Sequence, residues 1–404
     1  MPLHGTTMTN RPLSGLRVLE MGSLIAGPFA ARTLGDFGAE VIKIEPPKVG
    51  DALRSWRTKE GTTSVWWHVQ ARNKKSVAID LRQREGQELV RKLALEADVI
   101  IENFRPGTLE KWGLDYGTLS AINPAIIMLR ISGYGQSGPM RDLAGFGVVA
   151  EAMGGLRHIT GEPGKAPVRP GISIGDSLSA LHGVIGVMMA LYHRVAHGGK
   201  GQMIDVALYE SVFNMMEGAV PEYDRHGTVR QPAGSALQGI APTNAYPTAD
   251  GRYVLVAGNG DSIYRRLMTL IGRDDLGNDP ALARNPGRVA QMARIDEAIA
   301  AWSSQRPLEE CLAGLAAAGV PAGKIYTVKD IVEDEQYAAR DMLRTVQLND
   351  GSWLKVPGVV PKLSGTPGDF VGGGPDLGQH TEAVLAALGV DNAELERLRE
   401  KGVI

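Results

Sequence analysis

The sequence predicts an α/β protein: a large domain built on a doubly wound, mostly parallel sheet, and a second, smaller α/β domain. Three observations carry that prediction. Apolar runs of strand length alternate with amphipathic helical stretches as far as Ser132. Those runs end in loops marked by glycine and proline, as strand-to-helix units require. From about Val220 the texture changes to RHGTVRQPAGSALQGIAPTNAYPTADG, a loop-like stretch that reads as a domain boundary.

Taken in order, LRVLE (16–20) is a short apolar strand, followed by a Gly-containing loop, a helix opened by Pro28 and a second strand, EVIKIE. SVAIDL (Ser76 to Leu81), the amphipathic QREGQELVRKLALEA, DVIIEN (Asp98 to Asn103) and AIIMLRIS (Ala125 to Ser132) continue the alternation. The long apolar helix DSLSALHGVIGVMMALYHRVAHGG precedes GQMIDVALYESVFNMM, a strand running into another helix. Beyond the boundary, RYVLVAG is a strand among several helices that extend to about Val320. GVPAGKIYTVKDIVED leads into a β-rich piece, and TEAVLAALGVDNAELERLREKGVI closes as a helical tail. No internal repeat of solenoid period is present.

The 404 residues carry a formal net charge of -2, which leaves no basic excess to neutralise a nucleic-acid backbone. The one cysteine, Cys311, cannot form an internal disulfide, so a reducing, cytoplasmic setting is expected. The N-terminal MPLHGTTMTNRPLSG lacks the apolar core of a secretory leader, and no segment is expected to reach the roughly 18 apolar residues that cross a bilayer. Neither membrane nor nucleic acid is therefore expected as a partner. The 51 glycines have no fixed period and mark turns and close backbone approaches.

In doubly wound folds ligands bind beyond the carboxyl ends of the strands, which directs attention to the loops after Glu20, Ile44, Leu81, Asn103 and Ser132. The first, MGSLIAGPF, lacks the G-x-G-x-x-G of a dinucleotide site. Its Gly22 and Gly27 are followed by Pro28 and Phe29 rather than the Lys and Ser/Thr of a nucleotide-triphosphate loop. Asn103-Phe104-Arg105-Pro106-Gly107 combines an amide, an aromatic face and a guanidinium, suited to stacking and phosphate pairing or simply to turning the chain. SGYGQSGPM reads as a mobile lid or an irregular turn. In SVWWHVQARNKKS, Arg72, Lys74 and Lys75 read as a solvated rim over a buried aromatic pair, ahead of an anion contact. His193 and His197 are placed to complement a helix C-terminus, and no metal site is expected.

The stretch GISIGDSLSALHG offers two nucleophiles. Gly171-Ile-Ser173-Ile-Gly175 fits the G-x-S-x-G of a hydrolase elbow, but the prolines of GKAPVRPG argue against the buried strand an elbow needs, and the helix is expected to start after Asp176. Asp176 reads as the N-cap of that helix. A carboxylate there is kept ionised by the helix dipole, and the ionised form is the one that attacks an acyl carbon.

Nearly end to end the chain resembles the family III CoA-transferases, the CaiB/BaiF group that includes formyl-CoA:oxalate and carnitine CoA-transferases. The resemblance runs through LSGLRVLEMGSLIAGPFAARTLGDFGAEVIKIEPP, NKKSVAIDL, ADVIIENFRPG, ISGYGQSGP, GDSLSALHGVIGVMMALYHR, GGKGQMIDVALYESV and LGQHTEAVLAALG. It implies that Asp176 is the nucleophile and that the CoA site maps to Ile25, Ala26, Ile79, Asp80, Leu81, Arg82, Asn103, Phe104, Arg105 and Lys111. Two positions depart from the formyl-CoA enzyme. A basic residue after the second strand is Pro46 here, leaving Lys48 to substitute, and an amide in the first loop is Ile25, leaving only its backbone.

The resemblance also implies a Rossmann-like large domain made from both chain ends (1–220 with 326–404) around a small domain (221–325), and an interlocked homodimer. The implied activity moves CoA from an acyl-CoA thioester to a short carboxylic acid through an aspartyl-CoA intermediate, with no permanently bound cofactor. Segments such as PVRPGISIGD look most like members acting on dicarboxylic acids, and Arg169 in that stiff, Pro-bracketed segment reads either as a surface arginine or as the partner of the distal carboxylate. Two alternatives stand beside this: an α-methylacyl-CoA racemase, whose catalytic histidine would fall within Gly145-Phe146-Gly147, where there is none, and a noncatalytic CoA-binding protein.

Overall fold

The computed structural model describes residues 11–404; the N-terminal stretch MPLHGTTMTNRPLSG considered above falls largely outside them. The chain forms two compact units. The larger contains residues up to Leu156 together with Pro170–Glu217 and Tyr337–Ile404, and the smaller contains Arg157–Arg169 and Gly218–Gln336. Relative to the expected boundaries, residues 157–169 fall in the smaller unit and the chain returns to the larger one at Tyr337.

The larger unit is organised by six strands: β1 (Arg17–Glu20), β2 (Glu40–Glu45), β3 (Lys74–Ala78), β4 (Val99–Glu102), β5 (Ile127–Ser132) and β6 (Met203–Ala207). They pair in the order β3-β2-β1-β4-β5-β6, all parallel. This is the doubly wound order, and its strand sequence reverses direction between β1 and β4. β4 and β5 are buried throughout, as expected of near-continuous apolar runs covered on both faces. β3 begins two residues before the expected Ser76, because Lys74 and Lys75 pair with Val41 and Ile42 of β2.

Helices α1 (Ala26–Asp36), α2 (Arg84–Leu95), α3 (Gly147–Met153), α4 (Ile174–Ala196) and α5 (Leu208–Phe213) belong to the same unit. One face of the sheet is covered by a cluster that includes Leu34, Ala180, Val187 and Leu191, from α1 and α4. The other packs on α2 and on the C-terminal helices Thr381–Ala387 and Asn392–Glu400, through Leu89, Leu93, Leu385 and Leu398. The C-terminus is stitched to the β3 edge: Ala78 N donates to Thr381 Oγ1 at 2.9 Å, and Asp80 N donates to Val403 O at 2.8 Å.

Three local expectations are corrected. Pro28 is the third residue of α1, not the first, because Ile25 already occupies the N-cap position. Arg72 and Lys74 are not a solvated rim. Arg72 lies buried against Asp36 (2.7 Å) and Lys74 against Glu20 (2.7 Å), since both ion partners sit on elements packed inside the fold. α4 is long and apolar enough to cross a membrane, contrary to the expectation, although part of it is the cover of the sheet.

The smaller unit has an antiparallel three-stranded sheet, with Tyr253–Ala257 between Thr243–Pro247 and Ala322–Lys324. Its core gathers Tyr264, Leu267, Ile295, Ile299 and Leu315, and includes Cys311, which is fully buried as a small apolar residue.

Candidate active site

The loops that follow β1 and β4 meet where the strand order reverses, and Asn103 ties them together. Its Oδ1 accepts from Ser23 N at 2.7 Å and its Nδ2 donates to Ser23 O at 2.9 Å. Leu24 stands at φ 66°, an unfavourable conformation for a branched residue. That turn is held by Asp51, whose Oδ1 accepts from Leu24 N at 3.0 Å and from Leu53 N at 2.9 Å. Asp51 is held in turn by Lys43. The buried Lys43 ammonium lies 2.8 Å from Asp51 Oδ2, 2.8 Å from Glu20 Oε1 and 2.8 Å from Gly22 O. Lys74 takes the other oxygen of Glu20, while Arg54 forks onto Glu45 and Ser76 Oγ donates to it.

Burial works against the charge of Lys43, but Asp51, Glu20 and Glu45 outweigh it and raise its pKa. Burial likewise pushes the Asp51 and Glu45 carboxyls up, yet Lys43 with the Leu53 and Leu24 N–H groups holds Asp51, and Arg54 with Lys43 holds Glu45, below the usual carboxylate range. The unfolded chain therefore binds more protons than the folded one in acid. The stabilisation is complete above about pH 5 and is lost progressively as pH falls through the unfolded values near 4 towards the depressed ones. Urea midpoints measured at pH 7, 4 and 3 are expected to fall most steeply below pH 4, and a flat profile there would contradict the cluster's role.

Two cavities open on this scaffold. One, of 340 Å³, is lined by Met21, Ile44, Pro46, Ile79, Leu81 and Trp112 among others, with Asp80 and Arg82 at its wall. The second, of 160 Å³, contains Asp176, Asn103, Arg105, Arg141, Leu143 and Phe146 in its lining. Ser23 and Phe104 line both, so the two cavities share a wall at the switch point. Phe104 is fixed edge-on to Trp112, with ring centroids 5.3 Å apart, and its N–H donates to Glu102 at 2.7 Å.

Asp176 is not an N-cap. α4 starts at Ile174, which puts Asp176 in the first turn and Ser173 at the cap position, where its hydroxyl makes no capping bond. The residues before Ser173 form no strand, which removes the hydrolase elbow. In the first turn, the carboxylate still lies in the positive end of a 23-residue helix. It rests against Gly147. A Cβ built on Gly147 would lie 3.1 Å from Asp176 Cγ and closer still to Oδ2. Gly147→Ala is therefore expected to destabilise by about 1–3 kcal/mol, as overpacking does. That loss should vanish in an Asp176→Ala background, and an equal loss in both backgrounds would show that the contact is not its source.

The other expected CoA residues divide. Ile79, Asp80, Leu81 and Arg82 line the larger cavity, where Asp80 grips the Arg82 guanidinium at 2.8 and 2.9 Å and leaves its outer face to solvent. Ala26, Asn103, Phe104 and Arg105 line the smaller one. Ile25 lines neither, and its carbonyl already accepts from Phe29 N and Gln70 Nε2. Lys111 is exposed on the short helix Thr108–Trp112 and lines neither cavity. Lys48 is exposed at φ 67°, whereas Pro46 and Val49 face the larger cavity. Arg169 lies exposed in the smaller unit.

Sequence reasoning missed Lys43, Asp51, Arg141 and Gly147. The loop carrying Arg141 was visible as SGYGQSGPM; it leaves β5 and returns at Gly145, where a Cβ would lie 2.8 Å from Gly133 Cα. Among the described residues no cluster of His, Cys, Asp and Glu could hold a metal ion.

A doubly wound sheet with a helix-borne carboxylate beside its switch point, and with no dinucleotide glycine motif in its first loop, is compatible with acyl-group chemistry and does not by itself define it. Residues 13–381 match CoA-transferase family III, and the chain belongs to that family. It is 46% identical over 396 residues to a succinyl-CoA–D-citramalate CoA-transferase of Chloroflexus aurantiacus, covering 98% of both chains. It is 36% identical to a succinate–glutarate CoA-transferase of Agrobacterium fabrum, covering 95% of this chain and 98% of that one. A CaiB/BaiF family protein from Brucella suis superposes with a TM-score of 0.83 at 37% identity, covering 94% of this chain and all of the other, 100%. The protein is a family III CoA-transferase.

Proposed function

We propose that this transferase moves CoA between short dicarboxylic acids, with Asp176 as the covalent carrier. One observation carries the reading: Asp176 opens on a small cavity that shares Ser23 and Phe104 with a larger cavity suited to the cofactor portion of a thioester. CoA lies in the 340 Å³ cavity, with Phe104 and Trp112 offering aromatic faces and Arg82 a guanidinium for phosphate. The acyl carbon reaches Asp176 past the shared wall.

The Asp176 carboxylate attacks the thioester carbonyl, the CoA thiolate leaves, and a mixed anhydride forms. The thiolate then attacks the Asp176 carbonyl, which expels the donor acid and leaves an aspartyl-CoA thioester. An acceptor carboxylate attacks that thioester and releases thiolate, and the thiolate takes the acceptor's acyl group, which restores Asp176. No oxidant, reductant or net proton is needed. The steps require that water be kept from the anhydride, and Leu143 and Phe146 supply apolar walls.

The racemase alternative needs an imidazole near Asp176, and no histidine lines that cavity among the described residues. Dicarboxylate substrates are suggested by the activities for which the relatives from Chloroflexus aurantiacus and Agrobacterium fabrum are named. A panel of short acyl-CoAs crossed with carboxylate acceptors, read by mass detection of the new thioester, tests the reading. Transfer to no diacid, or deuterium uptake beside the thioester without transfer, would overturn it.

The interlocked homodimer remains part of the proposal. α4 leaves Ile185, Met189, Tyr192 and Val195 exposed along its outer side, an apolar face that a second copy would cover. Sedimentation is expected to give twice the single-chain mass of 43.2 kDa, and a stable species of one chain would contradict it. A cytoplasmic setting is likewise proposed, on the strength of the single, buried thiol of Cys311.

A further inference from the structure

We infer that the 160 Å³ cavity beside Asp176 is the subsite for the acceptor acid, and that Arg141 takes the distal carboxylate of a dicarboxylic substrate. This rests on the transferase reading and names the group that would set its acid preference. The cavity has less than half the volume of its 340 Å³ neighbour and falls below the roughly 300 Å³ of pockets that enclose drug-sized ligands. It suits an acid of a few carbons and not a nucleotide.

Two guanidinium groups line it. Arg105 is committed, because its Nη2 donates to Asp142 O at 2.9 Å and so braces the loop that carries Arg141. The ion pair recorded for Arg141 is weak: its Nε stands 3.4 Å from the carboxylate of its chain neighbour Asp142, whose side chain is 80% exposed. An exposed pair at that distance contributes little, so a planar carboxylate that presents two oxygens can displace it.

The rest of the lining sorts by chemistry. Asp176 is its reacting carboxylate, Leu143 and Phe146 are apolar, and Arg141 is placed to neutralise a second negative charge on the substrate. A monocarboxylic acid would leave Arg141 with only its weak pair. A diacid would fill the space between nucleophile and guanidinium. The role open to Arg169 thereby passes to a residue in the same unit and the same cavity as Asp176.

The test compares wild type, Arg141→Gln, Arg141→Lys and Arg169→Gln. For each, succinate and butyrate are titrated into protein saturated with desulfo-CoA, and kcat/KM is measured with each acid as acceptor. Wild type is expected to bind succinate more tightly than butyrate, and Arg141→Gln to reduce the succinate-over-butyrate ratio about tenfold or more in both measurements. Arg141→Lys should fall between them, since it keeps the charge and loses the fork. Arg169→Gln should leave the ratio at its wild-type value.

An equal loss for both acids, a fall in desulfo-CoA affinity with Arg141→Gln, or loss of the preference in Arg169→Gln would overturn the assignment. So would wild-type binding of succinate no tighter than butyrate. The binding arm needs no turnover, so failure of this subsite is separable from failure of the transferase reading, which the Asp176 variants address. Arg141 is exposed, so its variants are expected to fold, and the melting temperature of each checks this.

Discussion

Asp176→Ala is expected to abolish CoA transfer, with kcat falling by about four orders of magnitude or more, while desulfo-CoA binds as it does to wild type. The expectation follows from where the carboxylate sits. It is held in the first turn of α4, against a glycine that leaves room for it, and it faces the 160 Å³ cavity. The larger cavity contains no part of Asp176, so its removal should not disturb CoA binding there. Ser173→Ala should keep most of the activity, because Ser173 lines neither cavity and caps nothing. Full activity in Asp176→Ala would end the covalent account. A matching loss in Ser173→Ala would point to the start of α4 as a structural element instead.

The largest expected loss of stability belongs to Lys43→Met. Removing this ammonium leaves Asp51 and one oxygen of Glu20 buried without their cation, and such an uncompensated pair costs about 3–5 kcal/mol. Set against a total stability of roughly 5–15 kcal/mol, the variant should be close to unfolding at 37 °C. The effect should also reach the site. Asp51 holds the strained Leu24 turn, and Ser23 in that turn lines both cavities. Urea denaturation should show the loss, and desulfo-CoA affinity should fall in the fraction that remains folded. A cost under about 1 kcal/mol would mean that water or a neighbour satisfies these carboxylates, and that the cluster does not hold the loop.

Much of this architecture could be read locally. Apolar runs such as VIIE and IMLRIS are short, bounded and buried on both faces, so a period-free run of strand length was sufficient to place them. The rule that ligands lie beyond strand ends also singled out the loops after Glu20 and Asn103, which the structure joins through Asn103 and Ser23. What was not legible depends on partners distant in the chain. Arg72 and Lys74 look like surface cations until Asp36 and Glu20, which lie 36 and 54 residues earlier, are folded against them. The start of α4 was misplaced because Ser173 occupies the cap position without a capping bond, so the side-chain signal sat on the wrong residue. Gly147 carries no chemistry in a sequence. Its importance is a space, and that space exists only once Asp176 has been brought to it.

The most direct measurement is chemical trapping. Protein incubated with succinyl-CoA and no acceptor, then treated briefly with neutral hydroxylamine and digested, is expected to yield the peptide containing Asp176 as its hydroxamate, with CoA released in equal amount. The Asp176→Asn variant should yield none. Hydroxamate absent from Asp176 in protein that still transfers CoA, or found on a different carboxylate, would contradict the assignment of Asp176 as the covalent carrier.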